Sequence, residues 1–159
     1  MQVLVIGCGN PDRGDDAAGI LVARRLRERG VRAQEHKGDG LALIEAWSQA
    51  EHAILIDTVV TGAPPGTISG CLGTDAAMLR SASTSSHSFD VASAIELARV
   101  LDRMPGSLRI YGIEGCAFEP GTEPQAAVLA TVERIADLVL AEVQRLEAGG
   151  GELDLAEAR

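Results

Sequence analysis

Aromatic side chains are scarce in this chain, at only 3% of its 159 residues. Aliphatic residues and alanine dominate instead, and this composition suits helices packed on a Val/Ile/Leu sheet better than it suits a β-sandwich. We therefore predict an α/β fold with three layers, in which a mostly parallel, twisted sheet carries helices on both faces.

Basic residues are outnumbered, with 14 Lys and Arg against 23 Asp and Glu, a formal net charge of -9 and a pI near 4.7. Nucleic-acid binding depends on clustered Lys and Arg, so this balance argues against DNA and RNA as partners. Apolar runs approaching the roughly 20 residues of a membrane span are absent, as is a signal-peptide pattern. We expect a cytoplasmic protein without a membrane span.

Cysteines are few and scattered, at positions Cys8, Cys71 and Cys116. An odd number without a C-x-x-C pair predicts neither a disulfide framework nor a thiolate zinc site, and it is consistent with a reducing compartment. Cys8 lies beside a glycine-rich loop and is a candidate nucleophile, although a small buried cysteine is the commoner outcome.

The length of the chain favours one domain over residues 1–148, followed at 149–159 by a glycine-rich stop and an acidic tail. Hydrophobic periodicity and turn residues predict alternating strands and helices. The predicted strands are 3–6, 31–35, 53–56, 67–72 and 108–113, and the predicted helices begin near Asp16, Asp39, Ser88 and Glu123.

A glycine-rich loop follows the first predicted strand and leads into the first helix. Gly7, Gly9 and Gly14 permit backbone angles that are closed to other residues, so the chain turns sharply there. Asp15 and Asp16 stand at the helix start, where an acid caps free amides. Two neighbouring acids exceed what one cap requires, and the second is a candidate ligand.

Two further polar residues lie at the predicted ends of secondary-structure elements. Asp57 ends the aliphatic run 53–56, and His87 closes a serine-rich loop just before a helix. Ligands of open α/β sheets bind at the carboxyl ends of strands, so Asp57 and the first loop are expected to face one crevice. Two carboxylates and an imidazole suit zinc, nickel or manganese and leave positions open for water or substrate.

These features together resemble the [NiFe]-hydrogenase maturation endopeptidases over residues 2–146. The likeness rests on the G-x-G-N-x-x-x-x-D-D-x-x-G pattern from Gly7 to Gly19, the strand ending in Asp57, the serine-rich loop with His87, and Gly112-Ile113-Glu114 before a long last helix. The resemblance implies that Asp16, Asp57 and His87 coordinate metal and carry catalysis. The family often has Glu at the first of these positions, so either Asp16 or its neighbour Asp15 takes that role.

The implied activity is nickel-dependent removal of a C-terminal extension from a hydrogenase large-subunit precursor. The precursor would carry the nickel, and the enzyme would recognise it there. A carboxylate of the enzyme would assist proton transfer. Two alternatives stay open at this point. One is a chaperone that binds the precursor without cleaving it, and the other is a nucleotide-binding module, although Asp12 replaces the third glycine of the dinucleotide fingerprint.

Overall fold

A computed structural model describes residues 2–73 and 91–151 of the chain. Its strands are β1 (Val3–Cys8), β2 (Ala33–His36), β3 (His52–Val59), β4 (Ile68–Leu72) and β5 (Ser107–Glu114). Its helices are α1 (Ala18–Glu28), α2 (Gly40–Trp47), α3 (Val91–Val100) and α4 (Ala126–Glu147), and a 3₁₀ turn, Gly14–Ala17, precedes α1.

The strands form one sheet in the order β2-β1-β3-β5-β4. All neighbouring pairs are parallel except β4 and β5, which are antiparallel. The predicted strand 67–72 therefore exists as β4, which is an antiparallel strand at the edge of the sheet. Because the chain passes from β1 to one side and then returns to β3 on the other, the carboxyl ends of β1 and β3 flank the position where such sheets bind ligands.

Helices cover both faces of the sheet, which confirms the predicted three layers. One core cluster packs residues of α1 and α4 against the sheet, including Leu26 and Val139. The other packs α2 and α3 against the opposite face, including Trp47 and Ile95. Trp47 is fully buried, as expected of a packing residue.

A tight contact between two glycines brings α1 onto the sheet. A Cβ on Gly19 would lie 2.4 Å from the Cys8 carbonyl oxygen and 2.5 Å from that of Ile56, and one on Gly7 would lie 2.1 Å from the Gly19 carbonyl oxygen. These distances are far below van der Waals contact, so no side chain fits at either position. The glycines at both ends of the pattern therefore serve the close packing of α1 against β1 and β3.

Two predicted boundaries differ from the structure by three residues. The third strand continues to Val59 rather than ending at residue 56, because β5 pairs with it through Glu114, and Asp57 thus lies inside the strand opposite Gly112. The last helix begins at Ala126 rather than near Glu123, because Gln125 is the N-cap residue in extended conformation. In the part of the chain that the structure describes, no helix is both long and apolar enough to cross a membrane.

Candidate active site

The loop after β1 folds back on Asp16. Gly9 and Gly14 have φ angles of 141° and 55°, which favour glycine, and they let the chain reverse twice before α1. The Asn10 amide donates to the Asp16 carboxylate at 3.1 Å and to its carbonyl oxygen at 3.2 Å. The Asn10 side chain accepts a bond of 2.9 Å from the Asp12 amide. Asp16, in the 3₁₀ turn before α1, is thus bonded to the start of the loop and is only partly buried.

Asp15, by contrast, is fully buried and connects distant segments of the chain. Its carboxylate accepts bonds from the amides of Cys116 at 2.9 Å, Ala117 at 3.0 Å and Gln125 at 2.8 Å, and from the Gln125 side chain at 2.6 Å. Burial raises the pKa of Asp15, but these bonds to the ionised form outweigh burial and leave its pKa below the ordinary value. Asp15 therefore joins the loop after β5 to the start of α4.

This arrangement corrects the expectation that one of the two acids caps its own helix. Neither the 3₁₀ turn nor α1 has a side-chain cap, and Asp15 instead binds the amide of the residue that precedes α4. Because the oxygens of Asp15 already accept four bonds, the arrangement favours Asp16 over Asp15 as the ligand acid.

Asp57 lies on the face of the sheet that α2 and α3 cover. Leu55 packs in the core of that face, and side chains two positions apart in a strand share a face. Burial raises the pKa of Asp57 to about 7, with a further contribution from the charge of Asp16, while a 2.8 Å bond from the Thr58 amide opposes the shift. Two neighbouring acids at the carboxyl ends of adjacent strands thus influence each other.

Cys8 is a buried residue of the α2 and α3 side of the core, so the packing interpretation is confirmed. Burial, followed by the charges of Asp57 and Asp16, raises the pKa of its thiol well above the ordinary value. A neutral thiol is a poor nucleophile, and this environment is the opposite of the electropositive one that activates catalytic cysteines.

The two other histidines lie at the ends of strands, His36 at the end of β2 and His52 at the start of β3. His36 and His52 are both partly buried. His36 Nε2 lies 3.0 Å from the Gln34 amide oxygen, and His52 Nδ1 lies 2.6 Å from the Ser107 hydroxyl. Their ring nitrogens thus have protein partners where their strands pair or begin.

The candidate triad of Asp16, Asp57 and His87 is described only in part, because His87 lies outside the described residues. Within 2–73 and 91–151, no three His, Cys, Asp or Glu residues are grouped closely enough to hold a metal ion. The two acids fit a divalent cation in one respect, since a cation would offset the unfavourable interaction between them that raises the pKa of Asp57. A third protein donor would have to come from elsewhere in the chain.

Sequence reasoning missed two residues that build the site. The Thr58 hydroxyl, next to Asp57, donates to the Asp15 carbonyl oxygen at 3.0 Å and so joins β3 to the loop that bears Asp16. The buried Glu114 accepts bonds from the Thr61 amide at 2.7 Å, the Thr61 hydroxyl at 2.9 Å and the Gly62 amide at 3.1 Å, and it fixes the turn after β3. The Gly112-Ile113-Glu114 pattern was the available signal for Glu114, whereas Thr58 had none beyond its place beside Asp57.

Comparison with known proteins identifies the family of this chain. A sequence model described as hydrogenase maturation protease (HycI) matches residues 38–142. The hydrogenase 2 maturation protease of Escherichia coli is 25% identical over 150 residues, which cover 91% of this chain and 92% of that protein. The match of the family model includes Asp57 and position 87, and the longer match spans most of the chain.

Solved structures agree on the fold. The hydrogenase maturating endopeptidase HybD from E. coli has a TM-score of 0.79 at 24% identity and covers 94% of both chains. The [NiFe] hydrogenase maturation protease HybD from Thermococcus kodakarensis has a TM-score of 0.73 at 24% identity, with 89% of this chain and 98% of that chain covered. Since the family model matches well over half of the residues, the chain belongs to the hydrogenase maturation protease family.

Proposed function

We propose that this protein removes a C-terminal extension from the precursor of a [NiFe]-hydrogenase large subunit, with Asp16, Asp57 and His87 as its working residues. The observation that carries the proposal is the convergence of Asp16 and Asp57 at the carboxyl ends of β1 and β3, in a member of a protease family. Such a crevice is where open α/β sheets place their ligands.

The order of the elements supports His87 as the third member. β5 runs parallel to β3, and α3 leads into the amino end of β5, so α3 ends near that end of the sheet and begins toward the carboxyl end. Val91, the first residue of α3, follows position 87 by four residues. The same helix packs on the sheet face that carries Asp57.

Nickel belongs to the substrate in this proposal, as an ion already inserted in the precursor. Asp16, Asp57 and His87 would contact it, and a bound divalent ion polarises a carbonyl group or lowers the pKa of water. One carboxylate of the pair would accept a proton from the attacking water. The raised pKa of Cys8 argues against a cysteine nucleophile.

We place this activity in the cytoplasm. Cys8 and Cys116 are free thiols, and the scattered cysteines suit a reducing compartment. The net charge of -9 favours a partner with a basic or neutral docking surface and argues against nucleic acids.

The variants Asp16→Ala and His87→Ala test the assignment when each is incubated with cognate precursor and the products are read by intact mass. We expect wild-type protein to shorten the precursor once and each variant to lose about a hundredfold or more in rate while keeping the wild-type melting temperature. Precursor that binds to wild-type protein but is never shortened would support the chaperone alternative. Full processing by His87→Ala would remove His87 from the mechanism.

A further inference from the structure

A groove between α1 and α4 is not used by the acids of the candidate site. It has a volume of about 620 Å³, which lies in the range of ligand-binding clefts, and its lining includes Pro11, Ala17, Leu21, Pro124 and Leu129. Leu129 is 40% exposed, whereas the other large apolar side chains of α4 are buried or partly buried. We call this feature the α1–α4 groove.

The α1–α4 groove is continuous with the loop that carries Asp16. Ala17, which lines the groove, directly follows Asp16, and Pro11 lies on the same loop. An occupant of the groove therefore lies beside the loop that bears Asp16, on the α1 and α4 side of the sheet, whereas Asp57 lies on the α2 and α3 side.

Backbone hydrogen bonds join the two loops at this end of the groove. The Gly14 amide donates to the Thr122 carbonyl oxygen at 3.0 Å, and the Gly121 amide donates to the Asp12 carbonyl oxygen at 2.7 Å. Thr122 also lines the groove. These bonds fix the wall of the groove to the loop that carries Asp16. The position of an occupant of the groove relative to Asp16 is therefore fixed as well.

The part of the groove away from the Asp16 loop is lined by charged side chains, most of which form ion pairs. Arg25 Nε donates to the Glu133 carboxylate at 2.6 Å, and Arg25 also contacts Glu28 at 3.5 Å. Glu123 adds a further acid to the lining. Anionic ligands such as phosphates find no unpaired cation here, whereas an apolar side chain on a neutral or basic peptide meets apolar walls and an acidic rim.

We propose that the α1–α4 groove binds an apolar side chain of the polypeptide substrate, beside the loop that bears Asp16. The inference rests on the proposed function and adds a specificity subsite to it. A second copy of this chain is disfavoured as the occupant, because each copy carries a net charge of -9.

The kinetic test compares Leu129→Glu with Leu41→Glu, since Leu41 is a leucine on α2 that is 65% exposed and remote from the groove lining. We expect Leu129→Glu to lower kcat/KM for the precursor about tenfold or more, mainly through KM, because a charge replaces apolar contact in the groove. Leu129→Met should keep about half or more of the wild-type value, and Leu41→Glu should stay within about twofold. All three should melt like wild type, and wild-type kinetics in Leu129→Glu would overturn the subsite.

A second measurement does not depend on cleavage. A photoreactive phenylalanine analogue at position 129, and in a parallel sample at position 41, is irradiated with the precursor. We expect an adduct with the precursor only from position 129, near the precursor C-terminus. Adducts with a second copy of this protein, or none from position 129, would overturn the groove assignment. If wild-type protein fails to process precursor while the adduct at position 129 forms, the proposed function fails and the groove stands as a binding site.

Discussion

The hydroxyl group of Thr58 donates a hydrogen bond of 3.0 Å to the carbonyl oxygen of Asp15. Thr58 follows Asp57 in β3, and Asp15 precedes Asp16 in the first loop. This single buried bond therefore joins the immediate neighbours of both candidate acids, and it helps to set the spacing between them.

Replacing Thr58 with valine should loosen that spacing. Thr58→Val keeps the shape of the side chain but leaves a buried carbonyl oxygen without this donor, so we expect a loss of about 1–2 kcal/mol in the free energy of unfolding. Processing should fall about tenfold at a temperature where the variant is fully folded, because the acids are no longer held in register. Urea denaturation and initial cleavage rates measure the two effects.

Thr67→Val is the matched control, since Thr67 also donates from its hydroxyl to a carbonyl oxygen, that of Pro64 at 2.6 Å, but in an exposed turn. It should leave the cleavage rate unchanged. Equal effects of the two variants on the rate would remove any special role of Thr58.

Asp15→Asn should destabilise the fold strongly. The carboxylate accepts four hydrogen bonds, whereas an asparagine side chain would direct its own N–H groups toward donors, and we expect a loss of about 2–4 kcal/mol at pH 7. Because the pKa of Asp15 is lowered in the folded protein, its stabilisation is present above the unfolded pKa of about 3.9 and is lost as the pH falls through the folded pKa. The difference in the free energy of unfolding between wild type and variant should therefore become smaller in acidic solution.

Asp39→Asn provides the comparison. Asp39 caps α2 through bonds to the amides of Leu41 at 3.1 Å and Ala42 at 3.3 Å, and asparagine caps helices as well as aspartate does. We expect a change within about 0.5 kcal/mol. A loss for Asp15→Asn no larger than this would show that the four bonds contribute little.

Asp57→Asn should make the protein more stable and less active. The pKa of Asp57 is about 7 in the folded protein and about 3.9 in the unfolded chain, so the folded state binds more protons between these values and wild-type stability falls as the pH rises through them. Asparagine carries no charge and therefore removes this loss of stability at high pH. Its side-chain oxygen can still accept the hydrogen bond from the Thr58 amide. We expect a gain of about 1–2 kcal/mol at pH 8 that is nearly absent at pH 4.5, with processing lost.

Urea denaturation at the two pH values measures this difference. A variant that is less stable than wild type at pH 8 would show that the environment of Asp57 favours its charge.

Gly19→Ala should destabilise the protein despite the higher helix propensity of alanine. The added Cβ would meet two backbone carbonyl oxygens at 2.4 Å and 2.5 Å, and backbone cannot move aside as a flexible side chain does. We expect a net loss of about 2 kcal/mol, against a propensity gain of about 1 kcal/mol. Thermal melting checks this, with Gly151→Ala as a control because a Cβ there meets no atom within 4 Å. Unchanged melting of Gly19→Ala would contradict the close packing of α1.

Local patterns predicted much of this architecture because their signals are short-range. The aliphatic runs of β1 and β3 and the Asp39 cap depend on neighbouring residues, and the expected crevice follows from strands that alternate with helices. The end of β3 could not be predicted from neighbouring residues, since Asp57 to Val59 stay in the strand only through pairing with β5.

The role of Asp15 was beyond sequence reasoning for the same reason. The partners of its carboxylate lie between 101 and 110 residues further along the chain, and nothing near Asp15 marks them. Sequence alone left Asp15 and Asp16 as alternatives for the ligand acid, and only the tertiary hydrogen bonds separate their environments. The assignment of Asp16, Asp57 and His87 as the working triad stays a prediction.

The most direct measurement of the central claim is intact mass of a hydrogenase large-subunit precursor after incubation with this protein, in nickel-loaded and nickel-free samples side by side. We predict the loss of one C-terminal fragment from the loaded sample alone, because the acids of the site recognise the ion that the precursor carries. Equal cleavage of both samples would contradict nickel recognition, and no cleavage of a cognate loaded precursor by folded protein would contradict the proposed processing activity itself.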